Sequence, residues 1–165
     1  RYTDTMRDLG AIEETEVRCR EVELPDFLQH MADSLSILFQ NTEVRFACDF
    51  HVPAGRVVLD GELLYRVLEN LISNALRFAE RQIELAFYLE HGTLSATVTD
   101  DGPGFSEKLL QKKTALFYSE DTSGKHLGLG LAVSRVLCQK HGGTIELSNR
   151  LPHGACVKAT ITIKQ

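Results

Sequence analysis

Residues 61–79 place Leu64, Val67, Leu68, Leu71, Ala75 and Phe78 three or four apart, the signature of a helix with one apolar face. Such a helix is stable only against a second apolar surface, so it calls for a layered fold. Strand-like segments on both sides of it can supply that surface. Residues 44–50 and 56–59 flank a Pro53–Gly55 turn, and residues 82–90 and 93–100 read as a hairpin turning at His91-Gly92. Residues 16–24 alternate through Val17, Cys19, Val22 and Leu24 as an edge strand, and strands at 144–149 and 155–164 finish the chain. A second one-sided helix opens at Pro25 and carries Phe27, Leu28, Met31, Leu35, Leu38 and Phe39. A third runs from about 128 to 141 and stops at Gly142-Gly143. Asp60 suits the N-cap of the helix at 61–79. The order lacks regular βαβ alternation, which predicts a helix layer on one face of a mixed sheet.

Several function classes fall away on composition. The chain has 165 residues, enough for one domain with a core, and a net charge of −5 gives no basic footprint for nucleic acid. The longest apolar run is five residues, Leu85 to Leu89, against about 20 for a membrane span. No signal peptide is visible, and an opening Arg1 reads as a piece of something longer. Cys19, Cys48, Cys138 and Cys156 form no Cys-x-x-Cys pair, so we expect reduced, mostly buried thiols of a cytosolic domain. Residues 1–13 read as the end of a longer acidic helix, with Tyr2, Met6 and Leu9 near one face.

Three segments carry chemistry. On the helix at 61–79, Asn70, Asn74 and Arg77 share one face, and Arg66 extends it. Asparagine is a poor helix former, and neither Asn is at a cap. Carboxamide oxygens can ligate Mg²⁺ without adding charge beside phosphates, and an arginine one turn on can meet a phosphate. Taken alone, the same residues also fit a solvated polar face. The second segment, Val98 to Phe105, ends a strand in Asp100-Asp101 and turns through Gly102 and Gly104. A carboxylate fixed there can accept from an exocyclic amine, although an Asp-Gly turn is common. The third, Gly128-Leu129-Gly130-Leu131, opens a helix with free N–H groups for phosphate oxygens. It is neither a Walker loop nor a dinucleotide fingerprint. Leu116-Phe117-Tyr118-Ser119 lies in the long stretch between the second and third segments, where a lid over a ligand is the natural reading.

In this order the segments resemble the catalytic, ATP-binding domain of sensor histidine kinases, in the superfamily that includes DNA gyrase, Hsp90 and MutL. Residues 69–78 look like its N box, 100–105 like its G1 box, 116–118 like its F box and 128–131 like its G2 box. The resemblance covers about residues 16–165. It implies an α+β Bergerat-type fold, a two-layer α/β sandwich with a mixed sheet of about five strands on about three helices. It also implies ATP and Mg²⁺ as ligands. Asn74 would ligate Mg²⁺ with Asn70 beside it, Arg77 would contact phosphate, and Phe78 would lie near the sugar. Asp100 would accept from the adenine amino group, with Gly102 and Gly104 shaping the base pocket. Phe117 and Tyr118 would anchor the lid, and Lys125 and His126 on it would touch phosphate or serve as ordinary lid surface. Leu127, Gly128, Leu129, Gly130 and Leu131 would bring the helix start to the phosphates.

Three departures accompany the likeness. His126 stands where the G2 box often has a further glycine, and Ser119 where the F box usually has a basic residue. Asn70 stands where the ATP-hydrolysing cousins carry a glutamate, and an amide cannot accept a proton from water. This favours phosphoryl transfer over hydrolysis. None of the six histidines resembles the family's phosphoacceptor; His30 reads as a surface or boundary residue, and His51, His91, His141 and His153 as exposed residues at turns and element ends. The implied function is transfer of the γ-phosphoryl of Mg-ATP to a histidine on an upstream dimerisation domain. Residues 1–15 would be the end of that segment and its linker, and 16–165 the catalytic domain. A response regulator would be the downstream partner. The fragment would be cytoplasmic without membrane contact of its own, and the whole protein membrane-anchored. Two other readings stay open: a serine kinase of the anti-sigma type, and a non-catalytic module whose partner surface is gated by nucleotide.

Overall fold

The structure, a computed structural model, describes residues 14–111 and 127–164, with the backbone alone for 127–129. Five strands form the main sheet: β2 (Arg45–His51), β4 (Gln82–Glu90), β5 (Thr93–Asp100), β7 (Ala155–Thr162) and β6 (Ile145–Asn149), side by side in that order. Only β2 and β4 run parallel, and a parallel pair needs a crossover. Here the crossover carries β3 (Arg56–Leu59) and α2 (Gly61–Leu76), which brings α2 across one face of the sheet. The expected hairpin is present, with Glu90 paired to Thr93 around His91-Gly92, and His91 adopts a positive φ of 53°.

Helix α1 (Leu24–Leu35) and helix α4 (Leu127–Lys140) join α2 in the helix layer. Alternate residues of β4, Ile83, Leu85 and Phe87, are fully buried, as are Val67, Leu68 and Ile72 of α2. Each such side chain contributes roughly 1.5–3 kcal/mol by leaving water. Val157, Ala159 and Ile161 of β7 and Leu131, Leu137 and Cys138 of α4 complete the same core. The α+β two-layer sandwich, a mixed five-stranded sheet under three principal helices, is the architecture the resemblance implies.

Three local readings need correction. The strand expected over 16–24 forms only as β1 (Arg20–Glu23), and it pairs with β3 in a separate two-stranded sheet. The helix expected to reach Phe39 stops at Leu35 and tightens into a 3₁₀ turn over Ser36–Phe39. The helix at 61–79 ends at Leu76, because Asp101 captures the chain just beyond it. Its carboxylate accepts from the N–H groups of Glu80 (2.8 Å) and Arg81 (3.0 Å).

His141 is also corrected: it is buried, at 7% exposure. Its Nε2 accepts from the backbone N–H of Asp60 at 2.9 Å. Asp60 is the expected N-cap, its Oδ1 accepting from Leu63 N at 3.1 Å, and its Oδ2 accepts from Arg18 N at 2.8 Å. Asp60 thus joins the incoming chain, the start of α2 and the end of α4. Of the thiols expected to be mostly buried, only Cys138 is, while Cys48 is half-buried. Burial pushes Cys48 and Cys138 up to about 12, the charge of Asp49 adding to the effect at Cys48. Cys156 is half-buried and only Cys19 is exposed.

Candidate functional site

A cavity of about 210 Å³ opens between the C-terminal half of α2 and the end of β5. Asn74 and Phe78 border it on one side, Asp100 and Gly104 on the other. Leu71, Val98, Phe105 and Val157 give it apolar walls. A larger cleft of about 520 Å³ lies around the N-terminal end of α2, lined by Arg18, Phe27 and Tyr65 among others, and carries none of the motif residues. The smaller cavity is the candidate because it unites two of the three described motifs.

Asp100 is its buried charged member, at 4% exposure. Its Oδ1 accepts from Gly102 N (2.8 Å) and from Ala155 N (3.3 Å). Its Oδ2 takes no donor among the described residues. Burial raises its pKa above the usual carboxylate value; the two amides and the charge of Arg150 pull the other way, and Asp101 adds to the rise. The result is a fixed acceptor with one oxygen uncommitted at the wall of an apolar pocket, suited to a single polar donor on a flat apolar ligand.

Asp101 does the opposite work. Burial raises its pKa, but the N–H groups of Arg81, Glu80 and Gln82 outweigh that and hold it below the usual range. The two carboxylates divide the tasks, one facing the cavity and one fixing the chain after α2. That fixation explains Gly102. A Cβ there would lie 2.3 Å from Phe78 O, so only glycine lets the two motif segments meet backbone to backbone. Sequence reasoning assigned Gly102 to the pocket; the structure buries it against Phe78 and leaves Gly104 at the cavity.

The asparagines also separate. Asn74 is half-buried and lines the cavity. Asn70, one turn earlier, is half-buried against α4, its Nδ2 donating a long bond to Ser134 Oγ at 3.5 Å. Arg77 is exposed at the C-cap of α2, and Phe78 is 39% exposed at the cavity rim. Gly130 is half-buried, with open space where a Cβ would stand. The Leu131 side chain is committed to the core, so any contact it makes with a ligand comes from its backbone. Leu127, Gly128 and Leu129 form the first turn of α4. Phe117, Tyr118, Ser119, Lys125 and His126 lie outside the described residues, and so does most of the expected lid; the described part of it holds helix α3 (Glu107–Gln111), with Leu109 against the cavity.

Residues 59–165 match the family described as Histidine kinase-, DNA gyrase B-, and HSP90-like ATPase. The chain belongs to this family. Curated relatives place it on the sensor-kinase branch, as an ATP-binding domain of the histidine kinase type. It is 36% identical over 114 residues to the sensor protein KdpD of Escherichia coli, covering 66% of this chain and 13% of KdpD. It is 32% identical to the Escherichia coli sensor protein RstB, covering 80% of this chain and 31% of RstB. A putative NtrY-like sensor histidine kinase of Rickettsia typhi shares 26% identity over 87% of this chain and 24% of its own length. The chain therefore spans less than a third of each of these relatives.

Solved histidine kinases share the fold. Full-length ShkA in complex with AMPPNP superposes with a TM-score of 0.82 at 21% identity, covering 99% of this chain and 35% of ShkA. The catalytic domain of ThkA superposes at 0.72 with 23% identity, covering 88% of this chain and 95% of that domain. Among the described residues no helix is long and apolar enough to cross a membrane.

Proposed function

We propose that this histidine-kinase-type domain binds Mg-ATP in the Asn74–Asp100 cavity and presents its γ-phosphoryl group to a histidine on an upstream dimerisation domain. The observation that carries the reading is Asp100: a carboxylate at 4% exposure that lines the cavity and takes both of its donors among the described residues on Oδ1. An adenine amino group supplies the missing donor, and Leu71, Val98 and Val157 suit its flat apolar faces. That ShkA was solved with AMPPNP, an ATP analogue, on the same fold is consistent with it.

The triphosphate would extend toward Asn74, Arg77 and the first turn of α4, where N–H groups and arginine meet anionic oxygens. Asn74 suits Mg²⁺ as a neutral oxygen donor. No group of three His, Cys, Asp or Glu among the described residues forms a metal cage, so the remaining ligands would be water and phosphate. The ion would supply charge neutralisation at the transferring phosphoryl group. This chain contributes position: Asp100 fixes the base, Phe78 borders the sugar end, and Asn70 ties α2 to α4. Asn70 cannot act as a base toward water, which favours transfer to a side chain over hydrolysis.

Residues 1–15 would be linker and the end of the dimerisation segment, and a response regulator would take the phosphoryl group onward. In this reading the whole protein is a membrane-anchored sensor with this domain in the cytoplasm. The test is phosphotransfer from labelled ATP with the upstream segment restored. Acid-labile, base-stable label on a histidine is expected; label on an added serine-bearing partner, or nucleotide binding without transfer, would replace this reading.

A further inference from the structure

The turn between β6 and β7, with the flanking strand residues Asn149 and Ala155, belongs to none of the four boxes, yet it grips the Asp100–Phe105 segment at three points. The Asn149 side chain is exposed, but both ends of its amide are engaged. Its Oδ1 accepts from Phe105 N at 2.7 Å and its Nδ2 donates to Phe105 O at 2.7 Å. This pairing fixes the orientation of the amide, since the reversed one would set donor against donor and acceptor against acceptor. Four residues on, His153 Nδ1 donates to Gly102 O at 3.1 Å. Ala155 N then donates to Asp100 Oδ1 at 3.3 Å.

The turn is stiff enough to act as a brace. Arg150 N donates to Gly154 O and Arg150 Nε to His153 O, each at 3.0 Å, which closes the turn on itself. Gly154 has a φ of 123°, and a Cβ there would stand 2.1 Å from Asp100 O. The turn and the segment are therefore in backbone contact where Asp100 leaves β5. Phe105, held by Asn149, is a wall of the cavity, and α3 departs two residues later.

We propose that the β6–β7 turn is a positioning element for the nucleotide base, with Asn149 as its principal grip: it holds Phe105, and through it the wall that faces the edge read by Asp100. This rests on the nucleotide reading above. Asn149 touches no ligand in this scheme. It acts through Phe105, so its loss blurs base recognition more than it unfolds the domain.

The test compares wild type, Asn149→Ala and Asn149→Asp by isothermal titration with Mg-ATP and Mg-GTP, by thermal melting, and by hydrogen exchange at the Phe105 amide. Asn149→Ala is expected to raise the Kd for ATP by about tenfold. It should also narrow the preference for ATP over GTP and speed Phe105 exchange. Asn149→Asp keeps the acceptor for Phe105 N but loses the donor to Phe105 O, and should fall between. A lowered Tm with unchanged ATP affinity and unchanged ATP-over-GTP preference would make Asn149 a structural residue only and overturn the inference. Equal binding of ATP and GTP by the wild type would instead overturn the adenine reading itself, and the two failures are distinguishable.

Discussion

Asp60 and Asp100 each stand at the end of a strand, are 8% and 4% exposed, and accept two backbone N–H groups. They differ in how those donors are shared. Asp60 takes one on each oxygen, Leu63 N on Oδ1 and Arg18 N on Oδ2, and its own N–H goes to His141. Asp100 takes both on Oδ1. A buried carboxylate with each oxygen occupied by the protein is a structural knot, while one with an oxygen left over is a receptor for a donor from outside. Burial alone does not separate the two; the distribution of donors does.

The largest expected effect comes from inverting the receptor. In Asp100→Asn, Oδ1 still serves Gly102 and Ala155, which forces the new NH₂ toward the cavity, donor against donor. ATP affinity should fall by about 1.5–3 kcal/mol, roughly 10- to 150-fold, with no loss of Tm. A variant that bound ATP as wild type does would erase the distinction between the two aspartates. Next is the knot. Asp60→Ala removes the cap of α2 and the anchor of Arg18, so stability should drop by about 1.5 kcal/mol, or roughly 3–6 °C in Tm, while the folded fraction keeps its ATP affinity. A specific loss of ATP affinity without a Tm change would reverse the assignment.

Asn74→Ala should weaken Mg-ATP binding by about 1 kcal/mol and leave Mg²⁺-free nucleotide less affected, which titrations with and without Mg²⁺ would read. An equal loss in both would remove the metal role. The smallest effect is in pH. The folded pKa of Asp100 lies above its ordinary value of 3.8, so the group favours folding below 3.8 and loses that contribution as pH rises through the folded value. Two consequences follow in mildly acid solution, between 3.8 and the raised value. ATP affinity should begin to fall while ordinary aspartates are still charged, and the stability advantage of Asp100→Asn over wild type should shrink as pH falls. A profile that turned only below 3.8 would contradict a desolvated carboxylate.

What the sequence made legible follows from the range of the interactions involved. The hairpin at 82–100 was readable residue by residue, because alternation and a His-Gly turn are local signals. The end of α2 was not. Its apolar period continues through Phe78, and the stop is imposed by Asp101, whose amide partners lie 20 and 21 positions away. His141 was misread for the same reason, its partner Asp60 lying 81 positions away. In the site, Asn74 and Asp100 were picked out by the order of the motif segments and the family likeness it carries, because an asparagine on a helix face and an Asp-Gly turn are each common on their own. Asp101, Asn149 and His153 were missed because each serves a backbone group of another segment. The doubled carboxylate at 100–101 was the one hint, since a single cavity has use for only one of them.

The central claim is that Oδ2 of Asp100 reads an exocyclic amine. Calorimetric titration of the unmutated domain with Mg-ATP and Mg-GTP tests it most directly, because guanine presents a carbonyl where adenine presents its amino group. Tight binding of ATP and binding of GTP weaker by roughly tenfold or more is the expected result. Equal affinities for the two nucleotides would contradict it.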